Sequence, residues 1–167
     1  MAKINLDFMH SELNRVSDWV RFADRKVAFL AVYYSAVISY ILVQKDQFIE
    51  TISVYSDNCL WLSHLIAFSV IGLLFIGIVY LVLAIFPRTK NHYTNKSLFY
   101  FGNIAGMKLI DFTKNFEKLS EADAKKQLTE QIYTNSVIAS KKMECIKSSS
   151  KLLLVSLLIL AIMHVYK

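Results

Sequence analysis

The stretch WLSHLIAFSVIGLLFIGIVYLVLAIF, residues 61–86, decides the fold. It carries no formal charge over 26 residues, and its polar side chains besides Tyr80 are Ser63, His64 and Ser69. A hydrocarbon layer about 30 Å thick takes about 20 helical residues to cross, and a helix satisfies its own backbone there. The stretch therefore reads as a transmembrane helix. Pro87 ends it, because proline disfavours helix at the preceding Phe86 and has no N–H to continue the ladder. Arg88, Thr89, Lys90, Asn91 and His92 follow as a polar juxtamembrane turn.

Upstream, Val27–Val43 is a second uncharged block, 17 residues long. Downstream, Leu152–Tyr166 is a third, 15 residues long. At about 1.5 Å per residue the third covers only about 22 Å. Ser148, Ser149 and Ser150 can extend it, since serine hydroxyls bond to the preceding turn of a helix. It is expected to span; otherwise it is a buried or interfacial tail. Hydrophobic residues make up 55% of the 167, high for a soluble chain, and they are clustered in these blocks. The fold class expected is an all-α integral membrane protein. It has two to three transmembrane helices, with a helical cytoplasmic domain between the second and third. The first block is not a cleavable signal peptide, because a charged amphipathic stretch precedes it and no small-x-small cleavage pattern follows.

Lysine and arginine set the orientation. Five precede the first span: Lys3, Arg15, Arg21, Arg25 and Lys26. Residues 44–60 hold only Lys45, against Asp46, Glu50 and Asp57. Twelve basic residues lie from Arg88 to Lys151, against six acidic ones. The expected organisation is a cytoplasmic amphipathic helix over 1–26, spans over 27–43 and 61–86, and an external loop over 44–60. A basic cytoplasmic helical sensor region over 87–151 and a third span over 152–166 complete it. The N-terminus is expected to be cytoplasmic.

Leu6, Met9, Leu13, Val16, Val20, Ala23, Val27, Leu30, Tyr34, Val37 and Ile41 recur at spacings of three and four. That is an unbroken heptad seam on one helix from residue 5 to about 44. The seam packs either on the chain's own helices or between subunits. Ser97-Leu98-Phe99-Tyr100-Phe101-Gly102-Asn103 holds three consecutive aromatics without helical spacing, so an extended or irregular segment is expected there, with Gly102 permitting a sharp turn. A helix from about Ile104 to Leu119 follows, and then a single helix from 121 to about 165. Ser120 caps the latter, and Glu121 and Asp123 complement its dipole.

The sequence holds no phosphate-cradling glycine loop and no zinc or nucleophile motif. His10, His64, His92 and His164 have no ligand spacing, and Cys59 and Cys145 lie on opposite sides of the membrane. No cofactor or metal is expected. A membrane enzyme is disfavoured, because no Asp, Glu or Lys lies within a span. Basic residues interleaved with aromatics over 88–151 suit phosphates and bases. Anionic lipid headgroups attract the same lysines.

Three stretches together resemble a known family. They are Trp19 with Ala23-Asp24-Arg25-Lys26 entering the first span, Phe86-Pro87-Arg88 followed by Leu98-Phe99-Tyr100-Phe101-Gly102-Asn103-Ile104-Ala105, and Gln131-Ile132-Tyr133 with Ala139 and Lys142. In this order, over residues 10 to 165, the chain resembles the transmembrane effectors of bacterial Pycsar-type antiphage defence (PycTM). More broadly it resembles the SLATT-like effectors, with the Hailong-type channels among related systems. The resemblance implies a partner nucleotidyltransferase or cyclase that makes a nucleotide or short-oligonucleotide signal. It also implies an effector that permeabilises the membrane and arrests growth. In Pycsar systems a cyclic pyrimidine mononucleotide switches the effector on; in Hailong-type systems a DNA oligomer holds the channel shut.

The function expected on this basis is an ion channel or pore controlled by a nucleotide. Few helices per chain cannot enclose a wide water path, so a cyclic homo-oligomer, a tetramer, is expected in the lipid bilayer. The alternative is a non-channel scaffold that binds lipid or a partner protein. Candidate ligand residues are Arg88, Lys90, Tyr93, Lys96, Tyr100, Lys141 and Lys142, which supply cations for phosphates and rings for bases. Candidate pore-lining residues are Ser35, Ser39, His64 and Ser69, although serines in a span also bond to their own helix.

Overall fold

A computed structural model describes residues 5–46, 56–86 and 97–165, with side chains from residue 65 onward in the second helix and without that of Phe101. The elements are α1 (Leu6–Val43), α2 (Ser56–Ile85), α3 (Phe101–Ala105), α4 (Leu109–Glu117) and α5 (Glu121–Val165). No strand occurs among the described residues. Three helices, α1, α2 and α5, are long and apolar enough to cross a membrane. The protein is an all-α membrane protein.

The chain divides into two compact units. The membrane unit comprises residues 23–87 and 142–167. Its core joins Ala23, Val27 and Tyr34 of α1, Val70, Leu74, Leu81 and Ala84 of α2, and Ile146 and Leu153 of α5. The buried positions of α2 run Ala67, Val70, Leu74, Gly77, Leu81 and Ala84, again at spacings of three and four. On α5 Lys142, Ile146, Ser149, Leu153, Ser156 and Met163 keep the same register. Three helices meeting along such seams pack knobs into holes at shallow crossing angles. The outward faces are apolar as well: Phe29, Phe68 and Phe75 are about two-thirds or more exposed. In water, such side chains would each cost about 1.5–3 kcal/mol relative to burial; in lipid they are solvated.

The seam foreseen on α1 faces the chain's own helices. Each of its members, Leu6 through Ile41, is buried or half-buried, and most of the residues beside them are exposed. Between the two alternatives, the intramolecular one describes this chain.

The second unit comprises residues 1–22 and 88–141. Leu128 is fully buried in it, with Met9, Leu98 and Ala124 nearly so. Residues 97–100 are not helical, in keeping with their unspaced aromatics, and α5 holds them through two glutamines one turn apart. Gln127 Oε1 accepts the Leu98 N–H at 2.8 Å, and Gln131 Nε2 donates to the Phe99 carbonyl at 3.2 Å. The Phe99 ring meets His10 of α1 edge-on at 6.4 Å.

Two local expectations are corrected. The irregular segment expected over 97–103 ends at Tyr100: residues 101–103 belong to α3, and Gly102 makes no turn there, where a side chain would come within 2.7 Å of the Tyr100 ring. The single helix expected over 104–119 is two helices. Gly106 closes α3, and Lys108, extended at ψ 144°, opens α4. The apolar spacing runs on across this break, which is why it was not visible. The α5 N-terminus forms as expected, with Ser120 Oγ accepting the Asp123 N–H at 3.1 Å and donating to its carboxylate.

Candidate functional site

The break at Gly106 folds the chain back so that one face of α4 overlooks one face of α5. Lys108, Asp111, Asn115 and Lys118 recur at spacings of three and four, on one side of α4. Asp123, Lys126, Gln127 and Glu130 do the same on α5. Between them, closed at one end by Ser97 and Leu98, lies an open groove of about 690 Å³. That volume falls within the range of small-molecule sites, roughly 300–1,000 Å³.

The lining is polar and nearly balanced in charge. Lys108, Lys118 and Lys126 make no ion pair among the described residues, and neither do Asp111 and Glu130. Asp123 is held by the helix cap. Three free ammonium groups can meet a phosphate, while carboxylates and side-chain amides can read the donors and acceptors of a ring. No group of three His, Cys, Asp or Glu side chains that could hold a metal ion occurs among the described residues.

The ligand candidates read from sequence are dispersed. Arg88, Lys90, Tyr93 and Lys96 lie outside the described residues. Tyr100 is half-buried and supplies the N-cap position of α3, without a side-chain cap bond. Lys141 is exposed in the second unit. Lys142, in the membrane unit, is buried and ion-paired with Asp24. The structure brings none of the described three into the groove. The groove lysines were missed because 108, 118 and 126 are far apart in sequence, and only the turn at Gly106 gathers them.

Three of the pore candidates, Ser35, Ser39 and Ser69, stand on exposed faces. Ser35 donates to the Ala31 carbonyl at 2.8 Å and Ser69 to that of Ile66 at 2.7 Å. Ser39 is exposed, and the His64 side chain lies outside the described residues. A different serine carries the tertiary contact. Ser149 Oγ donates to the Gly77 carbonyl at 2.9 Å, while the Tyr34 hydroxyl donates to the Ser149 carbonyl at 2.8 Å. This knot ties α1, α2 and α5 together inside the membrane unit. Gly77 is required there, since a side chain would overlap the Tyr34 hydroxyl.

Comparison with curated proteins and with solved structures returned no match. The model of the Pycsar effector protein domain (PycTM) matches residues 8–166, all three long helices and both units included. The chain therefore belongs to the Pycsar effector family and is a transmembrane effector of antiphage defence.

Proposed function

We propose that the chain assembles into a homo-oligomeric ion channel or pore in the bacterial inner membrane, controlled by a nucleotide signal, whose opening depolarises the cell and arrests growth. The observation that supports this is the family match over residues 8–166, on a chain whose three long helices expose apolar faces. A three-helix unit with a packed interior encloses no water path, so conduction requires several copies around an axis.

In this reading the N-terminus and residues 87–151 face the cytoplasm, where a partner cyclase or nucleotidyltransferase releases the signal. Phosphate is met by Lys108, Lys118 and Lys126 of the groove, or by the set read from the sequence, Arg88, Lys90, Lys96, Lys141 and Lys142. Tyr93 and Tyr100 offer ring faces to bases. Ser35, Ser39, His64 and Ser69 are the polar candidates for the conduction path. The test is potassium flux from liposomes holding the purified full-length protein, with a cyclic pyrimidine mononucleotide or a short deoxyoligonucleotide added. Flux that changes with one of them is the expected result. Flux indifferent to both, or none at all, refutes the reading.

A further inference from the structure

The helix α4 leaves its apolar face uncovered. Leu109 is 80% exposed, Ile110 75% and Phe116 51%, and none of its nine residues is buried. A helix this short does not persist on intrinsic propensity, and packing of an apolar face normally holds one in place. Here the polar side overlooks the groove and the apolar side faces outward.

We infer that this apolar face packs against a second copy of the chain. Two observations choose that occupant over lipid. The first is the rim. Lys114 and Glu117 stand beside Leu109, Ile110 and Thr113 on the same patch. An anionic membrane surface attracts lysine and repels a carboxylate, whereas a protein surface can satisfy both. The second is a counterface in the same unit. Phe8 and Trp19 of α1 are 57% and 54% exposed. They are eleven residues apart, about three turns, and so share one side of the helix with the ion-paired Glu12 and Arg15 between them, apolar and charged groups together as on α4. A copy that carries both a face and a counterface associates head to tail, and repetition of that contact closes a ring. The inference rests on the reading of the protein as a homo-oligomer and names the surface that makes it one.

The experiment uses full-length protein in detergent and in nanodiscs. Leu109→Ser with Ile110→Ser removes the patch at positions already exposed in the single chain, so the melting profile of the chain itself is expected to stay unchanged. The oligomer measured by light scattering is expected to fall to a smaller species. In a second measurement, Ile110→Cys and Trp19→Cys chains bearing different tags are co-expressed with Cys59 and Cys145 replaced by serine. Oxidation is expected to link the two tags. An unchanged oligomer in the double-serine variant, without cross-links, overturns the inference and leaves the channel reading standing. Quenching of a fluorophore at position 110 by brominated lipid also overturns it, in favour of a membrane contact. A monomeric wild-type protein refutes the inference and the oligomeric channel together.

Discussion

Lys142 reaches from α5 to the Asp24 carboxylate of α1, and the two ends of this pair are unequally solvated: the lysine side chain is 8% exposed and the aspartate 52%. Removing either partner therefore has different consequences. Asp24→Asn strands a buried ammonium without its counter-ion, expected to cost about 3 kcal/mol. Lys142→Met leaves a carboxylate that water can still reach and is expected to cost less than half as much. The double variant should be more stable than Asp24→Asn alone. Thermal unfolding of the four proteins in one detergent checks the order; equal losses for the two single variants would count against the pair.

A second expectation concerns the knot. Gly77→Ala places a methyl group on the Tyr34 hydroxyl, and overpacking of this kind costs about 1–3 kcal/mol. Tyr34→Phe removes the two hydrogen bonds between the Tyr34 hydroxyl and Ser149, and such interhelical bonds are worth about 0.6 kcal/mol each on average within membranes. Combined, the two should cost less than their sum, because the phenylalanine gives back part of the space. A double-mutant cycle on unfolding midpoints measures the coupling, and strict additivity would mean that the close approach does not occur.

A third expectation follows from the direction of the α1 seam. Leu13 and Val20 are half-buried within the chain. Glutamate at either position puts a charge into a contact of the single chain. Leu13→Glu and Val20→Glu should each lower the unfolding temperature rather than release intact subunits. A folded, dissociated monomer in either case would return the seam to the subunit interface.

The limits of the sequence reading have physical causes. Residues 61–86 were legible because they carry no charge and end at Pro87. The α1 seam was legible because Asp7, Glu12, Arg15 and Asp18 mark its other faces. On α2 the same period was invisible. Phe68 and Phe75 outside are as apolar as Val70 and Leu74 inside, so burial leaves no contrast in hydropathy. The α5 seam was hidden differently: Lys142, Ser149 and Ser156 occupy inward positions that a polarity pattern assigns to solvent. Nothing in the apolar run of α2 marks Gly77 as special, yet it admits Tyr34 and lends a carbonyl to Ser149. The candidate ligand set paired cations with rings over 88–100 and added Lys141 and Lys142 of the last helix, whereas the groove is assembled by a turn that the apolar spacing conceals.

Topology yields a fourth expectation. The excess of lysine and arginine over 88–151 predicts a cytoplasmic position for that region. A single cysteine introduced at Asn91, with Cys59 and Cys145 replaced by serine, should react with an impermeant maleimide only after lysis. Labelling in intact spheroplasts would invert the arrangement and remove the proposed signal from reach of the groove.

The last expectation separates a ligand site from general attraction to lipid. Headgroup binding depends on total positive charge, so every Lys→Ala change should weaken it by a similar small amount, about 1 kcal/mol for a lysine at the surface. A built site is uneven. Lys118→Ala and Lys126→Ala remove ammonium groups that face the groove and have no ion-pair partner among the described residues. Each charge-assisted bond lost there is worth about 1.5–3 kcal/mol, or roughly 10- to 150-fold in affinity. Lys147→Ala, exposed in the membrane unit, serves as the control. Lys142→Ala tests the other possibility, in which a phosphate displaces Asp24 from its partner. The readout is binding of a cyclic pyrimidine mononucleotide to the full-length protein, measured beside growth arrest in cells with and without the nucleotide-making partner. Large losses at Lys118 and Lys126, with Lys147 unaffected, would place the signal in the groove. A loss confined to Lys142 would move it to the ion pair of α1 and α5, and an even profile across all twelve basic residues from Arg88 to Lys151 would assign them to the membrane surface instead.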